Sequence, residues 1–121
     1  MKYFTIDLDG EEINFRLTSL DCLEIEEKNK TKMLNYIMDY SHTTIITMLR
    51  YLRKSSVPNF SLKDACELMD KLIDNGYTFE KIVHDIIYEA LVVSGFLSKE
   101  ELEELKKDAR QTAMTLISAQ K

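Results

Sequence analysis

The segment 59–96 constrains the fold more than any other part of the chain, because it contains two helical patterns placed end to end. Ser61 followed by Asp64 predicts a helix start, since the hydroxyl accepts from a free backbone N–H and the carboxylate favours the positive end of the dipole. Gly76 and Gly95 predict helix ends, because glycine readily takes the left-handed conformation found there. The chain is therefore expected to fold around a helical scaffold.

Apolar residues in this segment recur every three or four positions, as on the buried face of a helix. A helix over about 62–74 is predicted to bury Leu62, Ala65, Cys66, Met69, Leu72 and Ile73. The next helix, capped by Thr78, is predicted to form the centre of the core with Phe79, Ile82, Val83, Ile86, Ile87, Ala90 and Leu91.

Residues 3–17 alternate between apolar and polar side chains on either side of Asp9-Gly10, which predicts a β-hairpin with a tight turn. A lone two-stranded hairpin is marginally stable in water, so its apolar face is expected to lie on helices.

Three further helices are predicted between the hairpin and Pro58. Thr18 and Asp21 start the first, the second runs from Lys32 to Tyr40, and the third ends before Pro58, which disfavours helix in the preceding residue. The inward-facing residues are predicted to be Leu20, Cys22, Leu23 and Ile25 in the first helix, Met33, Leu34, Ile37 and Met38 in the second, and Ile45, Met48, Leu49 and Leu52 in the third.

The segment 98–121 predicts a C-terminal amphipathic helix, which starts at Ser98 with a capping box completed by Glu101. Its narrow apolar stripe either packs on the same core or, in its distal part from Met114 to Ile117, docks onto another protein as a helix in a groove. The residues predicted to bind a partner are Leu105, Ala109, Ala113, Met114, Leu116 and Ile117.

The length of 121 residues fits one domain, divided into the hairpin (1–17), a helical core (18–97) and the C-terminal helix (98–121). The predicted fold class is α+β, mainly α-helical, with the hairpin packed on a bundle of five to six helices. Sixteen basic and 21 acidic side chains give a formal net charge of −5, which disfavours nucleic acids and anionic membranes and favours other proteins as partners. Cys22 and Cys66 are expected to be buried free thiols in a reducing cytoplasm; the alternative is a disulfide, which requires that the fold bring them together.

Catalytic and metal-binding patterns are weak. Asp7 and Asp9 beside a glycine are similar to the start of a calcium loop, but the further oxygen ligands are missing at the required spacing, so a hairpin turn is preferred. His42 and His84 have no partner at metal-ligand spacing. A nucleophile pair of Cys66 and His84 is disfavoured, because the cysteine belongs to an apolar stripe. We therefore expect no catalytic residue, cofactor or metal.

Several short motifs resemble the tail assembly chaperones of long-tailed phages of Gram-positive bacteria. These are Phe60-Ser61-Leu62 at a helix start, Leu68-Met69-Asp70 within that helix, Asn75-Gly76, and the closing Val93-Ser94-Gly95-Phe96. The resemblance covers residues 3–97 and includes the hairpin and the acidic run from Leu23 to Asn29. The family tends to place a glycine after that run; here Asn29 stands in that place, and asparagine tolerates the same left-handed conformation.

The resemblance implies a non-enzymatic chaperone that binds the tape measure protein and recruits tail tube subunits. It also implies that the protein acts in the cytoplasm of the bacterial host and is absent from the mature virion. Self-association is a further expectation, because hairpin edges can pair. The alternative is a small cytoplasmic regulatory or adaptor protein. A gene position between a tail tube gene and a long tape measure gene would distinguish the two functions.

Overall fold

A computed structural model describes residues 2–38 and 41–107 of the chain. Within these ranges an antiparallel hairpin precedes six helices, which confirms the mainly helical α+β class. The elements are β1 (Phe4–Leu8), β2 (Glu11–Phe15), α1 (Ser19–Asn29), α2 (Met33–Ile37), α3 (His42–Lys54), α4 (Leu62–Asp74), α5 and α6. Helix α5 comprises the consecutive segments Phe79–Ile82, Val83–Ile87 and Tyr88–Ser94, and α6 is helical over 99–107.

The predicted helix starts are confirmed by their hydrogen bonds. In each capping box the hydroxyl accepts a backbone N–H from the carboxylate residue, whose side chain accepts the N–H of the hydroxyl residue. The pairs are Thr18 with Asp21, Ser61 with Asp64, and Ser98 with Glu101. Gly76 (φ 93°) and Gly95 (φ 90°) are left-handed at the predicted helix ends.

The hairpin is closed by Asp9 (φ 54°) and Gly10 (φ 82°), which are the positive angles of a type I′ turn. Its inward face buries Ile13 and Phe15 against the helices. The end of α3 lies beside β2, where the Arg16 N–H donates to the Leu52 carbonyl at 2.9 Å. The hairpin therefore packs on helices, as the instability of an isolated hairpin requires.

One core draws residues from the hairpin and from every helix. It includes most of the predicted stripes of α3 and α5, together with Met33 and Ile37 of α2. Eight residues predicted to face inward are exposed or lie at the edge of the core, namely Leu20, Leu23, Leu34, Met38, Leu62, Cys66, Ile73 and Phe79.

The orientation of α1 was predicted wrongly. Asp21 and Ile25, one turn apart, are the buried residues of this helix, whereas Leu20 and Leu23 face outward. Asp21 accepts the Thr18 N–H beside the buried Leu17, so this side of α1 adjoins the core. Ile25 then follows Asp21 on the inward side, and Leu23 lies on the opposite side of the helix.

Helix α2 is shorter than the predicted span from Lys32 to Tyr40. Lys32 is its N-cap, and Tyr40 lies outside the described residues. The left-handed residue after α1 is Lys30 (φ 52°) rather than Asn29, whose side-chain amide instead donates to the Ile25 carbonyl at 2.8 Å.

The exposed apolar and cysteine side chains of α4 lie along one border of its buried face. Leu62, Cys66 and Ile73 are exposed, although the neighbouring positions Ala65 and Met69 are buried. Helix α4 packs chiefly on α3, and one neighbouring helix covers only a narrow stripe of its surface.

Helix α5 contains a π-helical segment that its apolar spacing did not predict. The Tyr88 N–H donates to the Val83 carbonyl, five residues earlier, instead of to a carbonyl four residues earlier. The predicted stripe is nevertheless buried on both sides of this wider turn, with Ile82 before it and Leu91 after it. Phe79, the first residue of α5, is exposed, and its ring meets the His42 ring edge-to-face with 5.5 Å between the ring centroids.

Candidate functional site

The outward face of α1 exposes two large apolar side chains. Leu20 is 64% exposed and Leu23 is 50% exposed, and they lie one turn apart. Glu27 shares their face at the next turn, with Glu24 and Glu26 at its borders. The result is a small apolar area with an acidic rim, which suits a partner that combines apolar and basic side chains.

Helix α2, which contacts α1, leaves two further apolar residues exposed at and just after its span. Leu34 and Met38 are spaced by four positions, so they also lie one turn apart. The two helices are in contact, and the Glu26 carboxylate accepts the Met33 N–H at 2.9 Å, which satisfies a free amide at the start of α2. We call Leu20, Leu23, Leu34 and Met38 together the α1/α2 apolar set.

The capping pattern of α1 did not indicate its exposed face. The same pattern starts α4 and α6, where Asp64 and Glu101 are not buried, so a carboxylate three residues after the N-cap does not determine which side of a helix faces the core. Ile25 is the apolar residue one turn after Asp21, and both are buried. The predicted inward set joined Leu20 and Leu23 to Ile25, which lies on the other side of the helix, and of these three only Ile25 is buried.

A second exposed apolar stripe runs along α4. Leu62 is 56% exposed, Ile73 is 43% exposed, and the exposed Cys66 lies between them on the same border of the helix. Leu62 and Ile73 are similar in size and exposure to Leu20 and Leu23, so substitutions in this stripe can serve as controls for substitutions in the α1/α2 apolar set.

The residues predicted to bind a partner through the C-terminal helix are placed only in part. Leu105 is partly buried and packs against the core, and Leu102 one turn before it is buried. The Lys106 ammonium lies 3.5 Å from the Glu89 carboxylate, which links α6 to α5. Ala109, Ala113, Met114, Leu116 and Ile117 lie outside the described residues. The start of the predicted stripe therefore belongs to the core.

The predicted hairpin turn is confirmed at the two aspartates. Asp7 Oδ1 accepts the Gly10 N–H at 2.9 Å, and Asp9 Oδ2 accepts from the Asn75 side-chain amide at 3.3 Å. Among residues 2–38 and 41–107, no three His, Cys, Asp or Glu side chains are grouped closely enough to hold a metal ion.

His84 and Cys22 pack within the fold, whereas Cys66 is exposed. His84 is buried in the π-helical segment and stacks on Tyr88, with 5.4 Å between the ring centroids. Cys66 is exposed on α4, so the prediction that both thiols are buried is wrong for this residue. Cys22 is partly buried, and burial followed by the charge of Glu26 raises the pKa of its thiol. A raised pKa reduces the thiolate fraction and so the reactivity of Cys22.

Arg53 joins the end of α3 to the hairpin. Its guanidinium donates to the Asn14 carbonyl at 2.8 Å and lies 5.6 Å from the centre of the Phe60 ring. Burial lowers the pKa of Arg53, an effect that the charge of Glu11 partly opposes. These contacts hold the end of α3 against β2, which makes Arg53 a structural residue.

None of the helices in the described part of the chain is long and apolar enough to cross a membrane. Comparison with protein families, characterised proteins and solved structures finds no match to this chain.

Proposed function

We propose that this protein is a phage tail assembly chaperone that binds the tape measure protein and recruits tail tube subunits during tail morphogenesis. On this proposal it is not an enzyme; it acts in the cytoplasm of the bacterial host and is absent from the mature virion. The motifs in 59–96 and the acidic run ending at Asn29 supply the resemblance. The exposed α1/α2 apolar set supplies the physical support.

A protein that keeps another chain soluble needs apolar side chains that water already contacts. Single exposed apolar residues are common on protein surfaces, but neighbouring ones indicate an interaction site. Leu20 and Leu23 are adjacent on α1, and α1 contacts α2, which exposes Leu34 and Met38. Met38 also has a flexible thioether side chain that adapts to different partners.

The acidic rim of α1 indicates the chemistry of the proposed partner segment. An amphipathic helix with a stripe of apolar residues beside lysine or arginine would place its apolar side chains on Leu20 and Leu23 and its charges near Glu24 and Glu27. Rim charges contribute to the rate and specificity of association more than to affinity, so the apolar anchors carry most of the binding free energy.

Co-expression with the tape measure protein encoded by the same phage tests the proposal. The wild-type chain should increase the soluble fraction of the tape measure protein and co-purify with it and with the tail tube subunit. Leu20→Gln with Leu23→Gln should reduce co-purification by about tenfold or more, because two anchors are removed. Circular dichroism and the melting temperature should change little, since both side chains are exposed.

The matched control is Leu62→Gln with Ile73→Gln, which removes two apolar side chains of similar exposure from α4. Equal losses in the two double variants would indicate nonspecific apolar contact and would remove the assignment to α1 and α2. A wild-type chain that leaves the tape measure protein insoluble would contradict the chaperone function itself.

A further inference from the structure

The two edges of the hairpin differ in how they are covered. The edge of β2 lies against the end of α3, where Arg53 Nη1 donates to the Asn14 carbonyl at 2.8 Å and the Arg16 N–H donates to the Leu52 carbonyl at 2.9 Å. The Ser55 hydroxyl also donates to the Arg16 carbonyl at 3.4 Å. These bonds occupy the Asn14 carbonyl and both backbone groups of Arg16, so α3 blocks a further strand at this end of the β2 edge.

The edge of β1 is open within the described part of the chain. The strands pair Leu8 with Glu11 across the two-residue turn, and this pair exchanges hydrogen bonds, as the pair flanking a type I′ turn does. The bonding direction alternates along a strand, so the backbone N–H and C=O groups of Thr5 and Asp7 point away from β2. Among residues 2–38 and 41–107, no group forms a hydrogen bond with these outward backbone groups.

The side chains of β1 are covered at its turn end and less so at its start. Leu8 is 2% exposed, as buried as Ile13 (5%) and Phe15 (0%) of β2, whereas Phe4 and Ile6 are only partly buried. The strand therefore has both unpaired backbone groups and incompletely covered apolar side chains along one edge. An edge of this kind is a template for strand addition.

We propose that the open edge of β1 pairs with β1 of a second copy of the chain, antiparallel and centred on Ile6, to form a dimer with a continuous four-stranded sheet. This register aligns the whole of Phe4–Leu8 with its copy. Thr5 of each copy exchanges two backbone hydrogen bonds with Asp7 of the other copy. Ile6 lies opposite Ile6 of the second copy in a non-hydrogen-bonded pair, where the side chains approach most closely.

Charge and side-chain direction select this register over its neighbours. A slip of one residue would place the apolar face of one copy beside the polar face of the other. A slip of two residues toward the turn would set Asp7 directly opposite its own copy, which is a repulsive pair of like charges. A slip of two residues the other way leaves Leu8 without a partner residue within the strand. The register centred on Ile6 places each Asp7 opposite an uncharged Thr5.

The position of α3 limits the assembly to two copies. The proposed contact is isologous, because each β1 edge meets the same edge of the other copy, and it uses the open edge of both. On the other edge, α3 is bonded to Asn14 and Arg16, so only the turn end of β2 around Glu12 is left, which is too short to pair with the strand of a third copy. This inference concerns a surface separate from α1 and α2 and does not depend on the proposed function.

Sedimentation velocity over a wide range of chain concentrations tests the proposal. The wild type should show a reversible monomer–dimer equilibrium without larger species. Thr5→Lys should tighten the dimer by several-fold to about tenfold, because each lysine lies opposite Asp7 of the second copy, and Thr5→Glu should weaken it similarly. Adding Asp7→Asn to Thr5→Glu should recover part of the lost dimerisation, because it removes the like charge while the amide oxygen can still accept the Gly10 N–H of the turn. The matched control is Thr43→Glu, the same change at an exposed position on α3, which should have little effect.

Thr5→Pro provides an independent test of the backbone pairing. Proline removes the outward N–H of Thr5, which the hairpin does not use, and should abolish the dimer while the monomer keeps its circular dichroism spectrum. If this variant unfolds, the charge variants still decide the question. A wild type that stays monomeric at every concentration overturns the proposal, and so do Thr5→Lys and Thr5→Glu variants that shift the equilibrium in the same direction.

Discussion

The Leu17 N–H donates a hydrogen bond of 3.0 Å to the Ser94 hydroxyl, joining residues separated by 77 positions in the chain. Leu17 is fully buried at the exit of the hairpin, and Ser94 is the last residue of α5. A buried backbone N–H needs a partner, and Leu17 precedes the N-cap of α1, where no helical carbonyl is available to it. Ser94 therefore connects the hairpin to the end of the central helix.

Ser94→Ala should lower the free energy of unfolding by about 1–3 kcal/mol, because it leaves the Leu17 N–H buried without a partner. Equilibrium denaturation in urea measures this change. Ser56→Ala, at an exposed position in the loop after α3, is the control and should lie within about 0.5 kcal/mol of wild type. Equal stabilities of the two variants would show that the hydrogen bond contributes nothing to the fold.

Local signals predicted the order and ends of most elements. Each helix start with a hydroxyl residue and a carboxylate three residues later was correct, because the two hydrogen bonds of a capping box involve only neighbouring residues. The turn at Asp9-Gly10 and the helix ends at Gly76 and Gly95 were correct for the same reason, since positive φ angles are local properties.

Side-chain orientation depends on tertiary contacts and was predicted less well. Leu23 and Ile25 lie in one helix and are both apolar, but only Ile25 faces the core. The exposure of Leu62 on α4 depends on how many helices cover α4, and Phe79 at the start of α5 is exposed although Ile82, one turn later, is buried. No spacing within these helices determines such contacts, so the candidate site on α1 and α2 became visible only in the folded chain.

The reversed orientation of α1 predicts unequal costs for two similar substitutions. Ile25→Ala should destabilise the protein by about 2–5 kcal/mol, because it removes buried methylene groups and leaves a cavity. Leu23→Ala should change stability by less than about 0.5 kcal/mol, since its side chain is half exposed and alanine favours helix. Thermal and urea unfolding of both variants measure the difference. If Leu23→Ala were the more destabilising of the two changes, Leu23 rather than Ile25 would be the core residue of α1.

The two thiols should react at different rates with iodoacetamide. Cys66 is exposed, whereas Cys22 is partly buried and its pKa is raised by burial and by Glu26. Because the thiolate is the reacting form, Cys66 should be alkylated first at neutral pH. Peptide mass mapping over time measures both rates, and the same reaction in strong denaturant is the control in which the rates should converge. Faster labelling of Cys22 in the native state would contradict its placement.

The capping box of α4 should make part of the stability depend on acid pH. The backbone N–H of Ser61 first, and then its side chain, lower the pKa of Asp64. A carboxyl group whose pKa is lower in the folded state stabilises the fold above its unfolded pKa, and this contribution is lost as pH falls through the folded pKa. Asp64→Asn should therefore show a smaller loss of stability than wild type between neutral pH and about pH 3.

Urea unfolding at the two pH values measures this difference. Asp70→Asn, which removes a carboxylate from the middle of the same helix, serves as the control. An identical pH dependence in Asp64→Asn and wild type would show that the cap does not contribute to acid sensitivity.

The distal part of the C-terminal stripe gives the final prediction, which concerns function. Leu116→Asp with Ile117→Asp should weaken co-purification with the tape measure protein, because a helix laid in a groove binds through a few apolar anchors. Circular dichroism and the melting temperature should change little. Leu102→Asp is the contrasting variant, since it introduces a charge at a buried position of α6 and should destabilise the fold. If the double variant unfolds like Leu102→Asp, the distal stripe belongs to the core, and the α1/α2 apolar set is left as the candidate binding site.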